Sequence, residues 1–162
     1  MTSRVGLGFD VHPFGGDGPL VLGGVTLAGP GLEGHSDADV VAHAIADALL
    51  GAAGLPDLGT LFPADDERYR GVSSMRLLRD VADAVAAAGW RVENVDVVVA
   101  TEQPVLAPHL PDMVASVEQA LEPLDPAAVA VKPKRPEGLG ALGRAEGIAA
   151  WAVALLYTFD GP

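Results

Sequence analysis

The sequence predicts an α/β (α+β) fold, because segments typical of β-strands are interleaved with segments of helical periodicity. Residues 91–101 are rich in valine, which favours a strand. Leu78, Val81 and Val85 recur at the spacing of one helical face. Gly89 follows them and predicts the end of that helix. Strands and helices of this kind indicate a sheet with helices packed on it.

The remaining elements can be taken in chain order. The first half of the chain predicts a strand at 3–12, a Gly/Pro turn, a hairpin-like return near 20–27, and a helix at about 37–53. The second half predicts a helix from Ser73 or Ser74 to Gly89, a strand at 91–101, a helix opened by Pro111, a strand at 128–132, and a last segment at 147–157. The helix opened by Pro111 has Val114, Val117 and Leu121 on one side. The alanines of that last segment would also suit a helix. With 162 residues and no internal repeat or linker, the chain is most simply one domain over residues 1–162.

The chain is strongly acidic, with a formal net charge of −12. Nucleic-acid binding depends on phosphate neutralisation by Lys and Arg, so this charge argues against a nucleic-acid partner, although it leaves a single nucleotide open. Two lysines occur in all, Lys132 and Lys134, and Arg135 lies beside them in a short loop flanked by Pro and Gly. Cations gathered against an acidic background indicate an anionic ligand. The alternative is a solvated charged turn.

Composition also bears on compartment and partners. Cysteine is absent, which excludes disulfides and thiolate metal ligands and fits a reducing compartment. The N-terminal segment lacks a signal-type apolar core, and the longest apolar run, at 148–157, is too short to span a bilayer. We therefore expect a cytoplasmic protein without a membrane partner. A mean hydropathy of +0.31 suggests apolar surface hidden between subunits.

Two short segments together predict a divided metal site. Asp10 and His12 are two residues apart on a predicted strand and so point to the same side. His43 lies four residues after Asp39 and four before Asp47, on one stripe of a predicted helix. One carboxylate and two imidazoles suit zinc, and three protein ligands leave a coordination position open for a substrate oxygen.

Simpler interpretations exist for each of these residues alone. Asp10 could end a strand, and a histidine at position 43 could be solvated or bonded to a neighbour. His35 could merely precede a helix that Ser36 or Asp37 caps. The metal interpretation gains support from the joint occurrence of these residues with the segments that follow them.

In this order along the chain, the motifs resemble those of the 2-C-methyl-D-erythritol 2,4-cyclodiphosphate synthase family. The segments that carry the resemblance are GFDVHPFGGDGPLVLGGV, GHSDADVVAHAIADALLGAAGLPDLGTLFP, NVDVVVA, PHLPDM, GLG and GRAEGIAAWAVALL. The resemblance covers the chain nearly end to end. It implies a mixed β-sheet packed against helices on one face, with 147–157 as a strand, and a homotrimer with active sites at the subunit interfaces. It also implies a zinc-dependent lyase that cyclises a CDP-alcohol 2-phosphate and releases CMP.

The resemblance further implies roles for individual residues. Zinc would be held by Asp10, His12 and His43, and a second divalent ion, Mg²⁺ or Mn²⁺, by Glu137. His35 would stabilise the transition state, and we add Arg135 to that role from its charge. The predicted substrate contacts are Ser36, Asp57, Leu58, Gly59, Phe62, Asp65, Asp66, Thr101, Pro104, Leu106, Ala107, Lys134, Arg135 and Arg144. Asp57 would also suit a turn, and Arg144 with Glu146 an ordinary ion pair.

The sequence departs from the family in the part that would bind the nucleotide diphosphate. Where the family usually has Ala-Thr-Thr-Thr-Glu after a lysine, residues 133–137 read Pro-Lys-Arg-Pro-Glu. A usual lysine, aspartate and phenylalanine are replaced by Val105, Ala64 and Ala141. We interpret Lys134 and Arg135 as replacements for the threonine contacts. Two alternatives stay open: a same-fold metalloenzyme for another nucleotide-linked phosphorylated alcohol, and a non-catalytic trimeric protein that binds metal and diphosphate.

Overall fold

A five-stranded sheet runs through the computed structural model, which describes residues 1–63, 65–126 and 128–159. The strands are β1 (Thr2–Leu22), β2 (Val25–Leu32), β3 (Arg91–Ala100), β4 (Ala128–Lys134) and β5 (Gly147–Thr158). Their order across the sheet is β2-β1-β5-β3-β4. The β3–β4 pair is parallel and the other three pairs are antiparallel. The predicted mixed sheet is confirmed.

The helices connect these strands. They are α1 (Val40–Ala53), α2 (Leu58–Leu61), α3 (Ser74–Ala87), α4 (Leu110–Ala120) and α5 (Gly140–Gly143), with 3₁₀ turns at Glu67–Tyr69, Ala107–His109 and Glu122–Leu124. Helices α1, α3 and α4 supply buried side chains to one core together with the strands. Within the described ranges, no helix has both the length and the apolar character needed to cross a membrane.

Helix α1 rests directly on β1 because two glycines leave room for its backbone. A Cβ added at Gly6 would lie 1.8 Å from the Ala48 carbonyl oxygen, and one at Gly8 would lie 1.8 Å from that of Ala44. Neither contact is sterically possible, so a side chain at either position would push the helix away. This close packing fixes the distance between α1 and the strand that carries Asp10 and His12.

The other face of the same strands is apolar and exposed. Residues that alternate with the buried ones on β1 and β5 form this exposed apolar face: Val5, Leu7, Phe9, Val11, Trp151 and Val153. Val5 and Leu7 are each 68% exposed. The Phe9 and Trp151 rings lie against each other across the strands, tilted by 42° with centroids 5.1 Å apart. A contiguous apolar surface of this kind is typical of an interface.

The first strand is longer than predicted. The prediction of a Gly/Pro turn after residue 12 is wrong. Strand β1 instead continues to Leu22 and pairs with β2, with register shifts at Gly16 and Pro19. Bulges of this kind absorb residues that a regular ladder would exclude. The chain reverses at Gly23 and Gly24, inside the predicted return.

The other boundaries differ by a few residues. Helix α1 begins at Val40 rather than at 37, because Asp39 is its N-cap and Ala38 has a positive φ of 56°. Strand β4 extends to Lys134, two residues beyond its predicted end. The segment at 147–157 is a strand, β5, as the resemblance implied. Helices α2 and α5 were not predicted.

Candidate metal centre and adjoining cavities

Asp10, His12 and His43 meet at one edge of the contact between β1 and α1. The Asp10 Oδ2 atom lies 3.1 Å from His12 Nε2 and 2.9 Å from His43 Nδ1. One ligand atom from each of the three residues lies within 4.8 Å of the others. Among the residues that the structure describes, this is the one cluster of three or more His, Asp or Glu side chains that could hold a metal ion.

The position of His43 follows from how α1 begins. The buried Asp39 carboxylate accepts the N–H groups of Val41 and Ala42 and thereby caps the helix. The same carboxylate accepts the N–H groups of Gly23 and Gly24 in the β1–β2 turn, at 2.9 and 2.7 Å. It therefore ties the helix start to the sheet. His43 lies one turn further along the helix and faces Asp10 as a result.

The tautomer of His12 is set by its neighbour. Its Nδ1 lies 2.5 Å from the Glu33 carbonyl oxygen, which can only accept, so Nδ1 carries a proton. In the neutral imidazole, Nε2 then presents a lone pair to the Asp10 carboxylate. The His12 Nε2 lone pair and the Asp10 Oδ2 atom are both acceptors and lie 3.1 Å apart, so a positive charge is required between them. A proton or a metal ion supplies that charge.

The pKa values reflect this arrangement in the metal-free protein. Burial alone would raise the pKa of Asp10, but hydrogen bonds from His12 and His43 outweigh it and hold that pKa well below its usual range. The hydrogen bond to Asp10 raises the pKa of His12 above its ordinary value. The carboxylate is therefore ionised and ready to bind a cation.

The three residues fit a divalent metal ion. Zn–N and Zn–O bonds of about 2.0–2.2 Å in a tetrahedron place ligand atoms about 3.3 Å apart, close to the two separations seen here. A carboxylate and two imidazoles suit a borderline ion such as zinc. The donor chemistry and spacing thus support a metal cofactor at this site.

A cavity of about 170 Å³ adjoins the three residues. Its walls include the following residues: His12, His35, Ser36, His43, Leu58, Gly59, Phe62, Tyr69 and Leu77. Five predicted site residues outside the metal set, namely His35, Ser36, Leu58, Gly59 and Phe62, are therefore brought to one place. The Nε2 atom of His35 is buried without a hydrogen-bond partner in the described chain, which is the state expected of a group that awaits a ligand.

Three further predicted contacts lie outside this cavity wall. Asp57 is exposed and caps α2, where its carboxylate accepts the Thr60 N–H at 2.7 Å. Asp65 is exposed. Asp66 caps the turn at Glu67–Tyr69, and hydrogen bonds from Arg68 lower its pKa. The substituted position Ala64 lies outside the described residues.

Six of the other predicted contacts line a second cavity, of about 220 Å³. Its walls are the following residues: Thr101, Glu102, Pro104, Val105, Leu106, Ala107, Pro133, Lys134 and Arg135. Glu102 joins the two loops of this cavity, because one carboxylate oxygen accepts the Gly138 N–H at 2.7 Å and the other lies 3.2 Å from Arg135 Nη2. The bond from Gly138, with that from Arg135, lowers the pKa of Glu102. The loop 101–107 is therefore placed beside the basic pair.

Two predicted site residues, a metal ligand and a substrate contact, stand apart from both cavity walls. Glu137 is exposed and has a positive φ of 57°. Arg144 pairs with Glu146 at 2.6 Å, which is the ion pair offered as the simpler interpretation. Their predicted roles stay predictions.

Several residues of the site were not predicted. Tyr69 and Leu77 complete the first cavity wall, and Glu102 the second. The buried hydroxyl of Ser74 lies 2.8 Å from His43 Nε2. A helix-initial serine is too common to single out, so the sequence held no usable signal for it.

The fold and the site together define a class of protein. It is an α+β protein in which one carboxylate and two imidazoles form a candidate metal-binding site beside a cavity. The chain belongs to the YgbB family, whose model matches residues 3–157.

Comparisons with known proteins agree with this assignment. The chain is 49% identical over 158 residues to 2-C-methyl-D-erythritol 2,4-cyclodiphosphate synthase of Synechocystis sp., covering 96% of this chain and 98% of the relative. It is 55% identical to the bifunctional enzyme IspD/IspF of Anaeromyxobacter sp., covering 94% of this chain but 39% of that protein. The chain thus spans about two fifths of such bifunctional relatives. A structure of Plasmodium falciparum IspF in complex with CDP matches with a TM-score of 0.83 at 29% identity, covering 98% of this chain and 97% of that one.

Proposed function

We propose that this chain is a zinc-dependent cyclase that converts 4-CDP-2-C-methyl-D-erythritol 2-phosphate to 2-C-methyl-D-erythritol 2,4-cyclodiphosphate and releases CMP, in the non-mevalonate isoprenoid pathway. The observation that carries the proposal is the Asp10, His12 and His43 set beside a cavity that also contains His35 and Ser36. Full-length relatives at 49–54% identity carry the name of this synthase. A cytoplasmic location belongs to the same proposal and fits the absence of cysteine.

The reaction joins two groups that are both negatively charged. An oxygen of the 2-phosphate attacks the β-phosphorus and closes the ring, while the bond to the oxygen shared with the α-phosphate breaks and CMP leaves with that oxygen. Asp10, His12 and His43 would hold a divalent ion, which would supply positive charge that screens the phosphates. Positioning and electrostatic stabilisation are the main tasks left to the protein.

His35 and Ser36 would bind phosphate beside the metal centre. The unpartnered Nε2 of His35 can donate to a phosphate oxygen as charge develops on it. Ser36 lines the same cavity and carries a hydroxyl donor. Leu58, Gly59 and Phe62 form the apolar wall that would face the alcohol.

The second cavity would bind the cytidine diphosphate part of the substrate. Lys134 and Arg135 line its wall, and their two cations would take the place of the hydroxyls usual in the family. Main-chain groups of 101–107 would meet the base. Glu137, just beyond, would hold Mg²⁺ or Mn²⁺ together with the diphosphate oxygens.

In the described chain the two cavities have no lining residue in common. We propose that they meet across a subunit interface in a homotrimer, so that each active site takes one cavity from each of two neighbours. The exposed apolar face of β1 and β5 offers the surface that such a trimer would bury. Arg144 would lie near its axis.

One alternative retains support. The change of residues 133–136 to Pro-Lys-Arg-Pro favours a same-fold enzyme whose substrate carries a different nucleotide or phosphorylated alcohol. A non-catalytic trimer that binds metal and diphosphate is less favoured, because His35 lines the same cavity as His12 and His43, two of the three residues of the metal set.

Product analysis tests the proposed function. The protein is incubated with 4-CDP-2-C-methyl-D-erythritol 2-phosphate, zinc and magnesium, and the products are identified by mass spectrometry. The proposal expects equal amounts of cyclodiphosphate and CMP. Unchanged substrate, with turnover of a UDP, ADP or GDP analogue instead, would support the alternative enzyme.

A further inference from the structure

Ser74 is a buried serine at the first turn of α3. Its Oγ lies 2.8 Å from His43 Nε2, the nitrogen that faces away from Asp10. The same hydroxyl makes a short hydrogen bond with Asp37 Oδ1. Ser74 is 1% exposed, so water does not compete for these bonds.

The direction of the hydrogen bonds follows from their chemistry. An ionised carboxylate can only accept, so the single hydroxyl proton of Ser74 goes to Asp37. The Ser74 oxygen is then an acceptor toward His43, which must carry its proton on Nε2. Nδ1 of a neutral His43 is left with its lone pair facing Asp10, as a metal ligand requires.

Ser36 is the other hydroxyl near His43, and it is the weaker partner. Its Oγ lies 3.2 Å from His43 Nε2 and 3.1 Å from Ser74 Oγ. Ser36 can therefore donate a hydrogen bond to the second lone pair of the Ser74 oxygen, while that oxygen still accepts from His43 Nε2. Ser36 also lines the cavity, and its Oγ accepts the Ala38 N–H at 3.2 Å.

Asp37 is itself held in place by α3. Its carboxylate accepts the Ser74 N–H at 3.1 Å from both oxygens, at the positive end of a 14-residue helix. Its own N–H donates to the Val72 carbonyl at 3.2 Å. The orientation of Asp37 toward Ser74 is therefore set by the start of α3 itself.

We infer that Ser74, oriented by Asp37, is a positioning residue that sets the tautomer and ring orientation of His43 and so determines metal affinity. This inference rests on the metal centre proposed above. Neighbours of ligand histidines commonly affect metal affinity by about 10- to 100-fold. We expect a loss of that size for Ser74→Ala.

The test measures zinc affinity by competition with a chromophoric chelator in wild type, Ser74→Ala, Ser36→Ala and Ser73→Ala. Ser73 is the matched control, because it is adjacent and exposed and its side chain makes no capping hydrogen bond. We expect about 10- to 100-fold weaker zinc binding for Ser74→Ala, and changes under about threefold for the other two. Asp37→Asn should also weaken zinc binding. Ser74→Thr, which keeps the hydroxyl, should bind zinc as tightly as the wild type.

A second readout separates positioning from folding. With Co²⁺ in place of zinc, the visible absorption of Ser74→Ala should change in position or intensity, since the ligand ring is no longer held. Thermal unfolding of the metal-free proteins shows whether each variant is folded. If Ser74→Ala does not fold, Asp37→Asn and Ser74→Thr decide the question by the same measurements.

Several outcomes would contradict the inference. One such outcome is that folded Ser74→Ala binds zinc within twofold of wild type while His43→Ala loses binding. The metal centre would then be supported, but Ser74 would have no role in it. Equal losses in Ser36→Ala and Ser74→Ala would contradict the assignment of Ser74 as the main partner. Failure of the wild type to bind zinc would overturn both the metal centre and this inference.

Discussion

Each imidazole of the proposed metal centre has one nitrogen committed to a neighbour and the other facing Asp10. His12 donates to a carbonyl and His43 is bonded to a hydroxyl. The three facing atoms form a site that needs a cation. The same atoms bind protons when metal is absent, so protons and metal compete.

Zinc affinity should therefore fall as the pH falls. The hydrogen bond to Asp10 raises the pKa of His12, so the proton stays on the metal-free protein at pH values above the ordinary histidine value of about 6.5. Affinity should level off above that raised pKa and drop below it by up to about tenfold per pH unit for each proton displaced. Chelator competition across about pH 5–9 measures this. A flat profile would contradict the involvement of His12.

The basic pair at the second cavity gives a prediction on turnover. If Lys134 and Arg135 stabilise charge on the diphosphate during transfer, Lys134→Ala and Arg135→Ala should lower kcat as well as weaken binding. Loss of one charge-assisted phosphate contact costs about 1.5–3 kcal/mol, or roughly ten- to a hundred-fold in rate. Steady-state kinetics under saturating zinc and magnesium measure both parameters.

Arg91→Ala is a suitable control for those variants. Arg91 is exposed at the start of β3, whereas the loop of the second cavity follows the end of that strand, about 30 Å away. It should keep wild-type kinetics. Wild-type kinetics in both loop variants as well would mean that the basic pair is not used in turnover.

The sequence predicted single residues of the site where a pattern exists for them. Asp10 and His12 share a strand face and His43 lies on a helix stripe, so spacing predicted two halves of a site, whereas their assignment to one metal rested on their joint occurrence with the motifs of the resemblance. Ser74 and Glu102 could not be predicted, because their roles depend on contacts between segments 31 and 36 residues apart in the chain. Nothing local distinguishes them from an ordinary helix start or an ordinary loop carboxylate.

At the scale of elements, the start of α1 depends on one side chain. The Asp39 carboxylate accepts four backbone N–H groups, two from α1 and two from the β1–β2 turn. Asp39→Ala would remove the cap and leave buried donors without partners. We expect a loss on the order of 3 kcal/mol in the free energy of unfolding.

Urea denaturation measures that loss, with Asp83→Ala as the control. Asp83 is an exposed aspartate on α3 whose nearest cation, Arg79, lies 3.9 Å away. Its replacement should change stability by less than about 0.5 kcal/mol. Equal midpoints for the two variants would show that the cap contributes little.

Element prediction succeeded where local signals and packing agree. Helix α3 and strand β3 have clear periodicity or valine content and lie where predicted. Strand β5 is rich in alanine, so its strand state reflects its central place between β1 and β3 rather than local preference. The extension of β1 past Gly16 and Pro19 requires a partner strand and could not be predicted from those residues alone.

At the scale of the whole molecule, the exposed apolar face gives a prediction on assembly. A charge at Leu7, which is 68% exposed on β1, should disrupt the proposed trimer because it would be buried at the interface. Light scattering should find a trimer for wild type and smaller species for Leu7→Asp. Ala115→Asp, at an exposed position on α4, should remain a trimer. A wild-type monomer that turns over substrate would contradict shared active sites.

The central claim is that the three-residue centre holds the metal required for cyclisation. The most direct measurement is a zinc titration of chelator-stripped protein with magnesium and substrate present, in which cyclodiphosphate formation and bound zinc are measured in the same samples. The account predicts activity that rises with bound zinc and reaches a plateau at one ion per chain, and neither bound zinc nor product in folded His43→Ala. Wild-type rates in the stripped protein, or full activity in His43→Ala, would contradict it.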